Sequence, residues 1–239
     1  MFAVVPLIPI VFVGGGIVVV GVLVWLAYRW LRKDPHRDMI VLMGPKRQGK
    51  TEFKSALCKE DFNPDRWGTG QRMTVDRFTI GEDDIGCKKI VTCDSEGSGN
   101  NIGDYTRHIL GYIDKKCPEF VLLVLVLSQE RLQERGVRSV IETLGEYLDY
   151  LAQACDNDLS KGMQRRYKEG CWAYAIAITH CAKPTSDDKK CLDQIVMSME
   201  KYKGHLRQMG ISCFELSDSK GREGTIRWIV KLLKGIHRG

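Results

Sequence analysis

The octapeptide GPKRQGKT at residues 44–51 constrains the fold of this chain more than any other feature of its sequence. It matches the pattern G-x-x-x-x-G-K-[ST], in which glycines allow backbone N–H groups to close around phosphate oxygens. The apolar run at 39–43 is typical of a buried strand, and the spacing of Phe53 and Leu57 indicates a helix over 52–59. A strand, a glycine-rich loop and a helix in this order predict a phosphate site at the positively polarised start of the helix.

The residues of this loop have specific roles in that prediction. The Lys50 ammonium reaches the β- and γ-phosphates of a nucleotide, and the Thr51 hydroxyl holds Mg²⁺. The residues expected to contact the nucleotide are those of the loop and the one that follows it: Gly44, Pro45, Lys46, Arg47, Gln48, Gly49, Lys50, Thr51 and Glu52. The alternative interpretation is a glycine-rich turn that carries a lysine without a ligand.

A second motif of the phosphate site is predicted at residues 91–99, VTCDSEGSG. There an apolar strand ends in Asp94, and Gly97 follows three residues later, in the pattern D-x-x-G. We expect Asp94 to contact Mg²⁺ through water and the Gly97 N–H to sense the γ-phosphate. The pattern is common by itself, and its place at the end of the predicted third strand gives it weight.

Strands and helices alternate through the rest of the chain, which predicts an α/β fold with a mostly parallel, doubly wound sheet. The predicted strands are 39–43, 72–80, 87–93, 120–127, 173–179 and 212–216, and the helices after the loop helix are 101–116, 134–155, 192–206 and 226–233. The polar stretch 156–170 interrupts this pattern and is predicted to be a surface insertion, which is either merely solvated or a face for a partner or for lipid headgroups. We expect a three-layer domain with a six-stranded sheet whose ligands bind at the carboxyl ends of the strands.

Residues 2–27 contain no charged side chain and predict a single transmembrane helix. A helix of this length measures about 39 Å, more than the ~30 Å that a bilayer core requires. The basic side chains between residues 29 and 37 all follow this segment, so we expect the N-terminus outside and the remaining chain in the cytoplasm. A cleaved signal peptide fits poorly because no basic region precedes the apolar stretch. The predicted organisation is an anchor at 1–31, a linker at 32–37 and one domain at 38–239.

The charge of the chain argues against a nucleic-acid partner, and its cysteines indicate a reducing compartment. The net charge of +6 is small and its basic residues are scattered, unlike the basic face of a nucleic-acid-binding protein. The nine cysteines form no C-x-x-C pair and show no metal-ligand spacing with histidine. This pattern favours a reduced domain that faces the cytosol.

Four predicted strand ends carry motifs: residues 44–51, Asp94, residues 179–183 and residues 217–220. In this order they resemble the motifs of the translation-factor-like GTPases, and among these the septin-like group of immunity-associated and Toc GTPases. GPKRQGKT carries most of the resemblance, followed by residues 117–146, CPEFVLLVLVLSQERLQERGVRSVIETLGE. The resemblance extends over about residues 38–234 and implies a three-layer P-loop GTPase domain that binds GTP or GDP with Mg²⁺. The β-subunit of the signal-recognition-particle receptor has a similar order, an anchor before a GTPase domain. The fourth-strand region of this chain resembles that subunit less well.

The resemblance also implies a switch threonine that closes on Mg²⁺, and Thr74 lies about where the family places it. Thr69 and Thr79 are the alternatives. The catalytic set implied in this way is Lys50, Thr74 and Gly97. However, Ser98 follows Gly97 where the family has the glutamine that orients the attacking water. Hydrolysis of GTP is therefore expected to be slow or to depend on a partner.

Guanine recognition is implied by the same resemblance, with one departure. Thr179 and His180 end a predicted strand where the family has its base-reading motif, and FELSDSKGREG puts Ser217 and Asp218 in the loop that backs the guanine. The usual pattern N/T-K-x-D, whose carboxylate accepts hydrogens from guanine, is missing. Either His180 contacts the base or it caps the strand, and the acidic pair at 187–188 is an alternative source of the carboxylate.

These observations predict a membrane-anchored GTP-binding protein, a slow GTPase that acts as a switch or an assembling scaffold at the cytoplasmic membrane face. Its expected partners are the membrane, which it crosses once, and either a second copy in a nucleotide-dependent homodimer or another protein. No nucleic acid is expected. The alternatives are a nucleotide-bound interaction module that does not hydrolyse GTP, and a P-loop ATPase or kinase.

Overall fold

The computed structural model describes seven stretches of the chain: 38–45, 48–58, 74–79, 87–92, 102–181, 186–199 and 206–237. All of them belong to one compact unit, His36–Gly239. The strands are β1 Asp38–Met43, β2 Thr74–Thr79, β3 Cys87–Thr92, β4 Phe120–Ser128, β5 Trp172–Thr179 and β6 Arg207–Phe214. The helices are α1 Lys50–Cys58, α2 Ile102–Lys116, α3 Gln129–Asn157, α4 Lys161–Lys168, α5 Ser186–Met199 and α6 Ser219–His237.

The six described strands form one sheet in the order β2-β3-β1-β4-β5-β6. β2 runs antiparallel to β3, and the four other pairings are parallel. The predicted α/β class and mostly parallel sheet are therefore confirmed. Because β1, β3, β4, β5 and β6 run in one direction, they begin at one edge of the sheet, here named the amino edge. They end at the opposite edge, the carboxyl edge.

Helices pack on both faces of this sheet because alternate residues of each strand point to opposite faces. The core of one face joins β1 to α2, α3 and α5 through Met39, Ile109, Leu144 and Ile195. The core of the other face joins β1 to α1 and α6 through Ile40, Phe53 and Ile229. β4 lies in the middle of the sheet and is buried along almost its whole length, which explains its uninterrupted apolar sequence.

The elements nearest the C-terminus differ from the prediction in their bounds. The helix predicted at 192–206 is α5, Ser186–Met199, and the strand predicted at 212–216 is β6, Arg207–Phe214. β6 is an edge strand whose residues before Phe214 are only half-buried. It therefore lacks the apolar run that made β4 and β5 visible in the sequence.

The stretch 156–170, predicted to be a surface insertion, is mostly exposed, and its residues Lys161–Lys168 form helix α4, which the sequence did not predict. Met163 and Tyr167, four residues apart, lie on the same side of this helix and are buried. The Tyr167 ring packs edge-on against Trp172 of β5, with the ring centroids 5.7 Å apart. Most of the α4 sequence, KGMQRRYK, is polar, so two apolar residues were too few to show a helical period.

Within the described residues, no helix is long and apolar enough to cross a membrane. The predicted anchor and linker, residues 1–37, lie outside the described residues. The anchor, and the division of the chain at residues 31 and 37, therefore stay predictions.

Replacing Tyr167 tests the packing of α4. Tyr167→Ala removes a buried ring that contacts Trp172, and such a loss lowers the free energy of unfolding by about 3–5 kcal/mol. Lys168→Ala, at the neighbouring exposed position, should change that free energy by less than about 0.5 kcal/mol. Urea denaturation of the purified chain, followed by tryptophan fluorescence, measures both values. Equal effects of the two substitutions would mean that α4 does not pack against the sheet.

Candidate functional site

The loop between β1 and α1 lies at the carboxyl edge and passes directly against β4. Gly44 has a φ of 138°, a conformation that residues with side chains rarely adopt. A Cβ atom at this position would lie 2.3 Å from the carbonyl oxygen of Val126 in β4. The first glycine of the octapeptide is therefore required by the close approach of two backbones.

Lys50 supplies a buried positive charge at this loop. Its side chain is only 2% exposed, and Nζ donates hydrogen bonds to the carbonyl oxygens of Gly44 at 3.0 Å and of Pro45 at 2.6 Å. A buried ammonium is costly unless polar groups surround it, and these carbonyls provide such groups. The cation is thus held at the start of α1, where the helix itself favours a bound anion.

The loop is fastened to the end of β5 by a buried threonine. Thr179 Oγ1 donates to the carbonyl oxygen of Gln48 at 2.9 Å and lies 3.2 Å from the carbonyl oxygen of Leu127. Gly49 has a φ of 78°, and a Cβ atom there would lie 2.8 Å from Thr179 Oγ1. The second invariant position of the loop pattern therefore also needs glycine for both conformation and space.

A second connection joins the loop to the end of β4. Gln48 Oε1 accepts hydrogen bonds from the backbone N–H of Ser128 at 3.0 Å and from its hydroxyl at 3.2 Å. Both side chains are buried. The sequence identified Gln48 only as a member of the loop and gave no role to Ser128, although a polar residue that ends a long apolar run is a usable signal.

His180 and Glu52 meet beside the loop. His180 follows β5 with a φ of 57°, and its Nε2 lies 3.4 Å from Oε2 of Glu52 in the first turn of α1. The imidazole is 47% exposed and the carboxylate 15% exposed. The structure thus brings together the loop and the strand end that sequence analysis connected, and it adds a carboxylate that the sequence did not connect with His180.

The loop after β6 reaches the same edge. β5 and β6 are neighbours, and the Cys181 N–H donates to the Phe214 carbonyl oxygen at 3.0 Å just beyond β5. Asp218 Oδ1 accepts from the Gly221 N–H at 2.6 Å and so caps α6. The Ser217 hydroxyl donates to Glu215 at 2.8 Å. Both predicted side chains therefore form hydrogen bonds within this turn.

Several predicted site residues lie outside the described part of the chain. These are Lys46, Arg47, Asp94 and Gly97, together with the side chains of Thr74, Asp187 and Asp188. β3 ends at Thr92, which lies next to Leu42 of β1 at the carboxyl edge, two residues before Asp94.

Thr51 is the described residue that fits as a magnesium ligand. It follows Lys50 in the first turn of α1 and is half-buried. Mg²⁺ at phosphate sites keeps several waters and takes one or two protein ligands, so a single hydroxyl at the loop suits that chemistry. Among the described residues, no group of three or more His, Cys, Asp or Glu side chains could hold a metal ion.

The sequence matches no protein-family model and is not significantly similar to any curated protein. Solved structures of GTP-binding proteins nevertheless share its fold. Nucleolar GTP-binding protein 1 of Plasmodium falciparum has a TM-score of 0.53 and 13% identity, over 87% of this chain and 91% of that one. The mammalian SRP receptor structure has a TM-score of 0.51 and 11% identity, over 82% of this chain and 100% of that one.

The structure of the small GTPase Arl6 BBS3 of Trypanosoma brucei, with the nucleotide analogue GppNp bound, is similar to this chain to about the same extent. It has a TM-score of 0.51 and 13% identity, over 84% of this chain and 97% of that one. At such identities the similarity shows a shared fold, which is that of GTP-binding proteins. The finer resemblance to the septin-like group stays a prediction.

The same substitution at two glycines tests the constraint on the loop. Gly49→Ala should lower the free energy of unfolding by about 1–2 kcal/mol or more, because φ is positive and Thr179 leaves no room. Gly111→Ala, in the exposed middle of α2 with no atom near the added Cβ, should raise it by about 0.5–1 kcal/mol. Denaturant titration measures both. Effects of the same sign and size would show that the loop is not held in this conformation.

Proposed function

We propose that this chain is a membrane-anchored GTP-binding protein that acts as a nucleotide-dependent switch or assembling scaffold at a cytoplasmic membrane face. The observation that carries the proposal is the buried Lys50 in a glycine loop fastened to the strand end Thr179–His180. In this proposal the loop is the phosphate site and the strand end is the base site, at the same edge of the sheet. The fold shared with GTP-binding proteins supports the same interpretation.

Phosphate binding in this proposal uses the loop, the first turn of α1 and the buried Lys50 ammonium. The backbone N–H groups of the loop and of the first turn of α1 donate to phosphate oxygens, and Lys50 balances their charge. Thr51 would hold Mg²⁺, which neutralises charge on the β- and γ-phosphates when it is bound. Asp94, Gly97 and Thr74 complete the magnesium and γ-phosphate contacts expected from the sequence.

Guanine binding in this proposal depends on His180. Thr179 is fully buried and fixes the end of β5, so the side chain that follows it is the first that can turn toward a base. Guanine presents N–H donors where adenine presents an acceptor, so its recognition requires an acceptor on the protein. Glu52 brings a carboxylate to 3.4 Å from His180 Nε2, so that this acceptor need not come from Asp187 or Asp188.

Slow hydrolysis follows from the residue after Gly97. Ser98 replaces the glutamine that orients the attacking water in similar GTPases, so a partner would have to supply the missing group. Such a partner is either another protein or a second copy of this chain. The second candidate function, a GTP-bound interaction module without hydrolysis, rests on the same substitution, and single-turnover hydrolysis of bound GTP distinguishes the two.

The choice of base is the most informative test of this proposal. GTP and GDP should displace a fluorescent GDP from the purified chain at much lower concentrations than ATP, because a polar base site rejects a base that leaves its groups unpaired. His180→Ala should reduce this preference for guanine, whereas His108→Ala, at an exposed histidine of α2, should leave it unchanged. Equal displacement by ATP and GTP would favour the ATPase alternative. No displacement by any nucleotide would contradict the proposal.

Lys50→Ala tests the phosphate part of the site. Loss of a charge-assisted hydrogen bond costs about 1.5–3 kcal/mol, so nucleotide affinity should fall about tenfold to more than a hundredfold. Lys54→Ala, one helical turn later in α1, removes the same charge from a position outside the loop and should retain affinity. Fluorescent GDP titration gives both values, and circular dichroism verifies that the variants are folded. Wild-type affinity in Lys50→Ala would show that the loop does not bind phosphate.

A further inference from the structure

The surface formed by residues 114–120 and 161–171, here named the basic patch, carries the entire net positive charge of residues 38–239. The chain has 36 basic and 30 acidic residues, of which 4 basic and 1 acidic precede residue 38. The basic patch contains 6 basic and 3 acidic residues, which leaves 26 of each sign in the rest of 38–239. The sequence does not show this concentration because 40 residues separate the two segments.

Exposed and partly buried hydrogen bonds hold the two segments together. Asp114 Oδ1, near the end of α2, accepts from the N–H of Ser160 at 3.1 Å and from its hydroxyl at 2.5 Å, just before α4. Arg166 Nη1 donates to the carbonyl oxygens of Cys117 at 2.9 Å and Pro118 at 2.5 Å. The end of α2 and the whole of α4 therefore form one surface.

The charge that this surface presents to solvent comes from lysines. Four of them are exposed and form no ion pair with a described residue: Lys115, Lys116, Lys161 and Lys168. The patch arginines are occupied, because Arg165 pairs with Glu169 at 2.7 Å and Arg166 binds backbone carbonyls.

The carboxylates around the basic patch are few. Within it Glu119 is exposed, Glu169 is paired with Arg165, and Asp114 accepts hydrogen bonds from Ser160. Asp156 and Asp158 border it from the end of α3, and Arg107 lies 3.9 Å from Asp158. The four lysines therefore exceed the free acidic groups of the patch itself.

The basic patch lies at the amino edge of the sheet. α2 ends just before β4 begins at Phe120, and α4 ends just before β5 begins at Trp172. β1 lies beside β4 and begins at this edge with Asp38. The chain therefore enters the domain at this edge from the uncharged segment at 2–27, and a linker of six residues can span at most about 20 Å.

We propose that the basic patch contacts anionic lipid headgroups of the membrane in which the chain is anchored. The inference rests on the membrane anchor of the proposed function. The amino edge is the edge that the predicted linker joins to the proposed anchor, and exposed lysines beside a bilayer are attracted to anionic lipid. The phosphate loop lies at the opposite edge, about 30 Å away along β4, so contact with lipid leaves the nucleotide site open to the cytosol.

The chemistry of the patch fits lipid better than a protein partner. Protein interfaces are enriched in aromatic residues and arginine and depleted of lysine. Here the charges without an ion pair to a described residue are exposed lysines, one of which, Lys116, has its Nζ 5.8 Å from the centroid of the Tyr112 ring. The large exposed apolar side chains among the described residues, Tyr150 and Met197, are both outside the patch. Mobile point charges suit a diffuse layer of phosphate and carboxylate groups, which requires no fixed geometry.

Lysine labelling of the full chain in lipid nanodiscs tests the proposal. Nanodiscs of phosphatidylcholine alone are compared with nanodiscs that also contain phosphatidylserine, and a neutral acetylating reagent is followed by mass spectrometry. In anionic discs Lys116 and Lys161 should react about threefold more slowly, because a negative surface raises the local proton concentration and lowers the fraction of free amine. Lys189 in the first turn of α5, near the carboxyl edge, should react equally in both. In 1 M NaCl the difference should disappear.

Charge reversal provides the matched control. Lys115→Glu combined with Lys168→Glu changes the patch from +3 to −1, and the slower reaction of Lys116 and Lys161 in anionic discs should be lost. Lys189→Glu combined with Arg227→Glu makes the same change of net charge elsewhere on the surface and should preserve it.

The possible results distinguish failure of the lipid contact from failure of the proposed membrane anchor. A chain that resists alkaline extraction from both kinds of disc, with equal lysine reactivity in the two, would overturn the lipid contact and leave the anchor in place. A chain that neither disc retains would overturn the anchor and the contact together. Slower labelling that persists in the patch reversal variant would assign the effect to some other surface and would likewise overturn the proposal.

Discussion

The site depends on the attachment of the phosphate loop to the ends of two central strands. The carbonyl oxygen of Gln48 accepts from the Thr179 hydroxyl, and its side chain accepts from Ser128, so one residue joins the loop to both β4 and β5. These groups are buried, and a buried polar group that loses its partner costs about 1–3 kcal/mol. The described part of the loop at Gln48 therefore cannot change shape without losing these buried hydrogen bonds. The two glycines follow from this attachment, because the loop lies too close to Val126 and Thr179 for a side chain.

The sequence predicted the parts of this arrangement that depend on local pattern. The apolar runs of β4 and β5 and the octapeptide between β1 and α1 were identified because burial on both faces and close phosphate approach restrict residue type at each position. β6 and α4 were misplaced or missed because half-burial leaves too few apolar residues to show a period. The contacts of Gln48 with Ser128 and of Glu52 with His180 join residues far apart in the chain, and they depend on strand order and register. Only the three-dimensional structure supplies that information.

The parallel sheet separates two kinds of chemistry by about 30 Å, the length of β4. Strands of one direction expose backbone ends and helix starts at the carboxyl edge, which suits bound anions, and the loop, His180 and the turn after β6 all lie there. Helix ends and positive side chains collect at the amino edge, where Lys115 and Lys116 close α2 and where basic residues also stabilise the helix by its dipole. One polarity of the fold thus gives one edge that suits the proposed nucleotide and an opposite edge whose charge complements the proposed anionic lipid.

In the proposed switch, a difference between the GTP- and GDP-bound states would have to arise away from Gln48, which its buried hydrogen bonds hold in place. A ligand shifts a conformational equilibrium only by its differential affinity for the two states. β2 is the first strand in the order of the described sheet and pairs, antiparallel, with a single described strand, β3. β3 ends two residues before Asp94. An edge strand such as β2 separates from its neighbour at a lower free-energy cost than a central strand does. One additional charge-assisted bond to a γ-phosphate, about 1.5–3 kcal/mol, would shift its equilibrium about tenfold to more than a hundredfold.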